Sequence, residues 1–254
     1  MKPSDDQVTQ YEEDGYFVME GLMTDEEVEE LRAEAERIAA GEVDFPVELV
    51  EFEPHAAPET PPLDRLRKIN ECAFNNAVFL EHARNAKLLE AAAAVLGPDL
   101  KLFGDQMFIK PPGGMEKTYH QDSPYFSIQP MALVTAWTAL DDVTVENGCM
   151  YVVPGSQAGG PLDHSEPWMV GDRQDMKIPD SQIDFSAERP VTMKSGDVSF
   201  HHSLILHRSG PNNPTRFRRG LAVHYMAARS RWTGDPADKP DYKLLRGVEH
   251  QGCV

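Results

Sequence analysis

The sequence has 254 residues, 41% of them hydrophobic, and its 42 acidic against 24 basic side chains give a formal charge of −18. The apolar share suffices for a sizeable core, while the acid excess argues against nucleic acid as a partner, because phosphate recognition relies on clustered Lys and Arg. No apolar run approaches the roughly 18 residues of a membrane span, the stretch MKPSDDQVTQ lacks a signal peptide's apolar core, and the irregularly spaced Cys72, Cys149 and Cys253 suggest neither disulfides nor a thiolate metal site. A soluble, cytoplasmic protein is expected.

The chain opens with helical patterns. Ser4 with Gln7 and Thr24 with Glu27 have the spacing of capping boxes, and Val28, Leu31, Ala35 and Ile38 recur on one helical face. Between these helices, GYFVMEGL reads as a short buried strand. Residues 41–63, rich in Pro, Glu and Phe, are expected to form a long covering loop. A second helical zone spans about 76–96 and stops at Gly97-Pro98.

From Leu100 onward, short apolar runs alternate with turn residues: LKLFGDQMFIK, ALVTAWTAL, CMYVVPG, VTMKSGDVSFHHSLILH and RRGLAVHYMA. Helices first and many strands later predict a mainly β protein, a sandwich or double-sheet barrel with helices packed on one side. Residues 158–190 read as an insertion near the mouth, and the tail from Thr233 as a surface wrap.

In KTYHQDSPYF, His120 and Asp122 are two residues apart, so on a strand they would share a face about 6–7 Å apart. Two histidines with one carboxylate form a facial triad suited to Fe(II) with open coordination positions, but H-x-D alone is equally a polar strand. His201, His202, His207 and His224 are the candidates for a third ligand. His201 lies six residues before His207, about 20 Å along an extended strand, which argues against its sharing the metal. His207 stands where a strand opens into RSGPNNP, and Arg218 follows eleven residues later. An antiparallel hairpin would bring His207 and Arg218 together, and an arginine fork suits the far carboxylate of a dianionic cosubstrate. Asn147-Gly148 reads as a turn.

The segments YHQDSPYFSIQPMALVTAWTALDDVTVENGCMYVVPGS and GDVSFHHSLILHRSGPNNPTRFRRG, with YEEDGYFVMEGLMTDEEVEELR before them, resemble the phytanoyl-CoA hydroxylase (dioxygenase) family of Fe(II)- and 2-oxoglutarate-dependent dioxygenases. The likeness runs from about Asp5 to Met226. It implies a double-stranded β-helix, a cupin-like jelly roll, over 100–230. A mainly helical flank with a lid loop over 1–99 and a tail over 231–254 would complete one domain. It further implies His120, Asp122 and His207 as iron ligands, and Arg218 as the anchor of 2-oxoglutarate. Gln121, Trp137 and Ser209 would line the cosubstrate, with Lys68 reaching it from the helical side. Gln106, Tyr125, Phe126 and His202 are substrate-side candidates; His202 equally suits core support, His224 reads as a core histidine, and Trp137 also suits ordinary packing. Arg216 is expected at the surface or mouth and Arg219 facing away. The family often has PGSH where this chain has PGSQ, which puts a pocket residue in doubt at Gln157.

The implied reaction uses Fe(II), 2-oxoglutarate and O2 to hydroxylate an unactivated C–H bond of a small molecule, releasing succinate and CO2. Related halogenases replace the ligand carboxylate with a small residue, so Asp122 favours hydroxylation or a related oxidation. A non-redox isomerase or hydrolase would not need Arg218, and an inactive binding homologue would typically lack a ligand. Substrate identity and oligomeric state are not legible in these residues.

Overall fold

The computed structural model describes residues 2–54, 56–168, 176–213 and 216–254. Both capping boxes form. In α1 (Asp5–Asp14), Ser4 Oγ accepts from the Gln7 N–H at 3.2 Å and Gln7 Oε1 accepts from the Ser4 N–H at 2.9 Å. In α2 (Asp25–Ala39), Thr24 and Glu27 make the same exchange, and Val28, Leu31, Ala35 and Ile38 are buried as their spacing predicts. The second helical zone is two helices, α3 (Ala77–Ala83) and α4 (Ala86–Leu96). Asn85 separates them because its side chain accepts from the Lys87 N–H at 3.0 Å and caps a new helix.

Strands β1 (Tyr16–Met19), β2 (Val50–Phe52), β3 (Leu66–Asn70), β4 (Leu100–Lys110), β5 (Lys117–His120) and β6 (Val134–Ala139) are followed by β7 (Met150–Val153), β8 (Arg189–Val191) and β9 (Val198–His202). The last three are β10 (Leu206–Ser209), β11 (Arg218–Ala227) and β12 (Leu244–Arg246). One sheet runs β1-β9-β6-β11-β4-β3-β2, with β12 also paired to β4; a second runs β8-β7-β10-β5. All these pairings are antiparallel. The helices cover the outer face of the large sheet, where Leu31, Phe79 and Leu88 share a core with Ala136, Phe200 and Val223. Its inner face meets the small sheet through Trp137, Ala139 and Ala222 against Val152, Val191 and Ile205. Every residue of β6 is buried because that central strand is covered on both faces. This is the mainly β jelly roll with flanking helices.

Several expectations need correction. Residues 41–63 are not a structureless loop: Val50–Phe52 pairs with Leu66–Asn70 at the sheet edge, and the Arg65 guanidinium stacks 4.0 Å over the Phe52 ring. The tail is more than a wrap, since β12 extends the sheet beside Leu100 and Lys101, and Tyr242 and Val254 join a small core. His207 and Arg218 do not share a hairpin. Their strands β10 and β11 lie in different sheets, and Asn212 secures the crossover by donating to the carbonyls of Lys110 (2.8 Å), Pro111 (3.1 Å) and Arg216 (2.7 Å). At Gln157, where a pocket role is already in doubt, the amide turns to the end of α1 and donates to the carbonyls of Glu12 and Glu13. The 158–190 stretch contributes Ile178 and Ile183 to a small core with Tyr119, Val153 and Leu206, while residues 169–175 lie outside the described residues.

Candidate metal centre and cosubstrate pocket

Strand β5 ends at His120, so Asp122 is not placed by strand alternation. It has α-helical backbone angles (φ −77°, ψ −47°) and starts the turn Ser123–Tyr125. The N–H groups of Asp122 and Ser123 both donate to the Ser203 carbonyl, at 2.9 and 3.0 Å, and the Ser123 and Ser203 hydroxyls are also hydrogen-bonded. That junction ties the turn to the β9–β10 connection, while His120 pairs directly with His207 in the β5–β10 ladder. The result is one cluster: ligand atoms of His120, Asp122 and His207 all lie within 4.8 Å of one another.

The donor chemistry suits a divalent metal. His120 Nδ1 lies 2.9 Å from the Thr118 carbonyl and His207 Nδ1 lies 3.0 Å from the Ile205 carbonyl. Each Nδ1 must donate there, which leaves both Nε2 lone pairs facing Asp122 Oδ1 at 3.9 and 3.7 Å. Burial, reinforced by His207 and Lys117, holds His120 well below the ordinary imidazole range. Burial pushes the Asp122 carboxyl up, but the surrounding His207, His224, His120 and His201 outweigh it and leave the group below its usual value. Neutral imidazoles and an ionised carboxylate are the species that bind Fe(II) or a similar ion.

Three further groups steer the carboxylate, and of these Thr135 carries no signal in the sequence. Registers across β9, β6 and β11 set His201, Thr135 and His224 in one inward-facing row. Thr135 Oγ1 lies 3.4 Å from Asp122 Oδ2 and 2.8 Å from His224 Nδ1. His224 donating to Thr135, and Thr135 to Asp122, occupies Oδ2 and leaves Oδ1 toward the histidines. The extended-strand distance that argues against His201 does not apply, for its Nε2 is 4.0 Å from Asp122 Oδ2. The chain reverses between His202 and Ile205, where the Ile205 N–H donates to the His202 carbonyl at 2.9 Å, so six residues do not run straight. Burial takes His201 down to about 3.

Arg218 faces the same interior from β11. Its Nε and Nη2 donate to the Gly148 carbonyl at 3.2 and 2.7 Å, and its guanidinium lies 5.2 Å from the Trp137 ring centroid. The Trp137 ring covers Gly220, where a Cβ would come within 1.9 Å of Cζ2. Ser209 closes β10 opposite, and its hydroxyl accepts from Lys110 Nζ at 2.9 Å. Lys68 on β3 sits 5.3 Å from the Phe108 ring, and its charge helps burial pull His224 down. Gln106 lies on the same inner face, paired with Ala222 and Asn70. Phe126 packs at 4.3 Å on Phe103 and 6.2 Å from His224. The side chain of Tyr125 lies outside the described residues.

Two expected site residues face elsewhere. Gln121 points away from its neighbouring ligands: its Nε2 donates to the carbonyls of Gly160 (2.9 Å) and Leu204 (2.7 Å), and its Oε1 accepts from the Leu162 N–H at 2.8 Å. With its amide saturated by backbone, it is an anchor and not a cosubstrate contact. His202 accepts from the Leu204 N–H at 3.0 Å and packs 6.0 Å from the Tyr11 ring, which is core support. Arg219 faces outward as expected, paired with Asp141 at 2.9 Å, and Arg216 is exposed.

The family model for phytanoyl-CoA dioxygenase matches residues 11–220. The peroxisomal phytanoyl-CoA dioxygenase of Mus musculus is 30% identical over 223 residues, 85% of this chain and 66% of the relative. The chain thus spans about two-thirds of that relative's length. A probable alpha-ketoglutarate-dependent hypophosphite dioxygenase of Stutzerimonas stutzeri is 28% identical over 227 residues, 88% of this chain and 78% of the relative. Among solved structures, EctD from S. alaskensis with bound Fe superposes with a TM-score of 0.75 at 22% identity, covering 99% of this chain and 87% of that one. The epimerase SnoN in complex with Fe3+, alpha ketoglutarate and nogalamycin RO gives 0.74 at 23%, covering 95% and 98%. These structural likenesses show a shared fold, and the sequence match shows more: the chain belongs to the phytanoyl-CoA dioxygenase family.

Proposed function

We propose that this chain is an Fe(II)- and 2-oxoglutarate-dependent dioxygenase that hydroxylates an unactivated C–H bond of a small molecule. The observation that carries the reading is the His120, Asp122 and His207 cluster, with ligand atoms within 4.8 Å, together with a buried Arg218 that lies against Trp137 between the two sheets. When bound, iron with 2-oxoglutarate and O2 supplies the oxidising power, and the cosubstrate leaves as succinate and CO2.

The protein's part is placement and charge. His120 and His207 present fixed Nε2 lone pairs, and Asp122 adds the single negative charge, so a divalent ion keeps one positive charge for an anionic chelator. Arg218 is the cation for the far carboxylate, Ser209 adds a hydroxyl beside it, and Trp137 walls the pocket. Lys68 approaches from β3 on the His224 side. Gln106 and Phe126 are assigned to the substrate side, supported by the inner-face register and the proximity to His224. The net charge of −18 supports a substrate other than a long acyl-CoA, and disfavours nucleic acid. No helix among the described residues is long and apolar enough to cross a membrane; we add to the proposal a cytoplasmic location and a single catalytic domain over 1–254.

Adding 2-oxoglutarate to the Fe(II)-loaded protein without O2 is expected to give a weak visible charge-transfer band. Admitting O2 should then yield slow, substrate-independent succinate. His207→Ala should lose bound iron, the band and the succinate together; retention of succinate formation in that variant would overturn the assignment.

A further inference from the structure

One buried cation beside the pocket has no part in the scheme above. Lys110 lies directly opposite Arg218 in the β4–β11 register, and the two are 7% and 3% exposed. Lys110 Nζ reaches across to the small sheet, donating to Ser209 Oγ at 2.9 Å and to the Gly210 carbonyl. Arg218 donates to the carbonyl of Gly148, whose Cβ position would be 2.3 Å from the Gly210 oxygen. The two cations therefore flank one pair of touching backbone segments. Among the described residues, neither has a carboxylate within ion-pair distance. Burial, with Arg218 and Arg67 nearby, pulls the ammonium well below its ordinary value, and burial brings Arg218 to about 10. Cations held only by neutral acceptors in a dry interior are stabilised strongly by an anion.

We infer that Lys110 is a positioning residue for 2-oxoglutarate: by donating to Ser209 Oγ it turns the Ser209 hydroxyl proton toward the carboxylate that Arg218 holds. A hydroxyl has one proton to give. With the ammonium donating into Oγ, that proton must point elsewhere, and the anion beside Arg218 is the acceptor the pocket is built around. A neutral amine could accept the proton and reverse the hydroxyl; the ammonium cannot. This inference rests on the 2-oxoglutarate reading above and adds a residue that reading did not use.

The test is calorimetric binding of two 2-oxo acids to the anaerobic Fe(II)-loaded full chain. 2-Oxoglutarate has the far carboxylate, whereas 2-oxobutyrate keeps only the metal-chelating end. Lys110→Met is expected to raise the Kd for 2-oxoglutarate about tenfold or more, the scale of one charge-assisted hydrogen bond, with the Kd for 2-oxobutyrate changed less than about twofold. Lys110→Gln, which keeps a donor for Ser209, should recover part of the loss and serves if the Met variant does not fold. On a Ser209→Ala background, Lys110→Met should add little, because both changes remove one device. Unchanged 2-oxoglutarate binding in the folded variants, equal losses for both acids, or fully additive losses would overturn the inference while leaving the proposed reaction standing. Failure of the unmodified protein to bind either acid would overturn both.

Discussion

Gly148→Ala separates the role of one carbonyl from ordinary destabilisation. Gly148 has φ +86°, a region that costs an L-residue roughly 1–2 kcal/mol. Its Cβ would also stand 2.3 Å from the Gly210 oxygen and 2.9 Å from the Pro211 oxygen, backbone atoms that cannot rotate away. Overpacking of that kind costs about 1–3 kcal/mol, so the sum is about 2–5 kcal/mol. At about 3 °C per kcal/mol for a chain of this size, the melting temperature should fall by roughly 5–15 °C. Gly21→Ala is the control: φ is +57° there and nothing lies within 4 Å of the Cβ position. It should show the conformational cost alone, a fall of roughly 3–6 °C. The functional consequence differs in kind. Because the Gly148 carbonyl accepts both Arg218 bonds, its displacement should weaken 2-oxoglutarate binding about tenfold or more, with iron affinity unchanged. Thermal melts and anaerobic 2-oxoglutarate titrations of both variants decide the matter. If Gly148→Ala melts no lower than Gly21→Ala, or melts lower yet binds 2-oxoglutarate normally, the link from Gly148 to Arg218 is wrong.

Three more expectations follow from the same geometry. Arg218→Ala should chiefly raise the apparent KM for 2-oxoglutarate in succinate assays, and an unchanged value would remove its role as anchor. In Gly220→Ala, the new Cβ would collide with the Trp137 ring; a cost of about 1–3 kcal/mol and weakened 2-oxoglutarate binding are expected, and intact binding would take Trp137 out of the pocket wall. Asp105 is buried on β4, with Oδ2 accepting from the Ala73 N–H at 2.9 Å and Oδ1 without a hydrogen-bond partner among the described residues, and burial pushes its carboxyl up to about 7. A folded value above the unfolded value near 4 means its contribution is full below about pH 4 and is lost as pH rises through about 7, some 4 kcal/mol in all. Asp105→Asn should flatten that decline, seen as a smaller gap between denaturant midpoints at pH 5 and pH 8; the same gap as in the unmodified protein would refute it.

The residues legible in the sequence were those whose chemistry recurs at short, ordered spacing. His120 with Asp122, then His207 with Arg218, stand out as closely spaced pairs, but spacing leaves four histidines open as the third ligand, and it is the resemblance of the two segments to a known family that implies the set. How they meet was not legible: a turn carries Asp122, and two different sheets carry His207 and Arg218. Spacing along an extended strand misplaced His201 because the chain reverses right after it. Thr135 and Lys110 gave no local signal at all. They matter through ladder registers that join residues some 90 or more apart in sequence, and a hydroxyl or an amine in a strand looks like any other polar residue until those registers exist. Edge strands β2 and β12 escaped notice for a related reason, since three-residue strands carry too little alternation to show.

Gln121 gives the metal turn a stiffness that no ligand supplies. Its side chain bolts the peptide between His120 and Asp122 to Gly160, Leu162 and Leu204, while its own N–H donates to His164 Nε2 at 2.9 Å. The segment from Gly160 to His164 is thereby geared to the two ligands on either side of Gln121. A shift of Leu162 travels through one amide into the aim of both the His120 ring and the Asp122 carboxylate. Variation in that outer loop, well away from the ion, is thus a means of tuning ligand angles without touching a ligand.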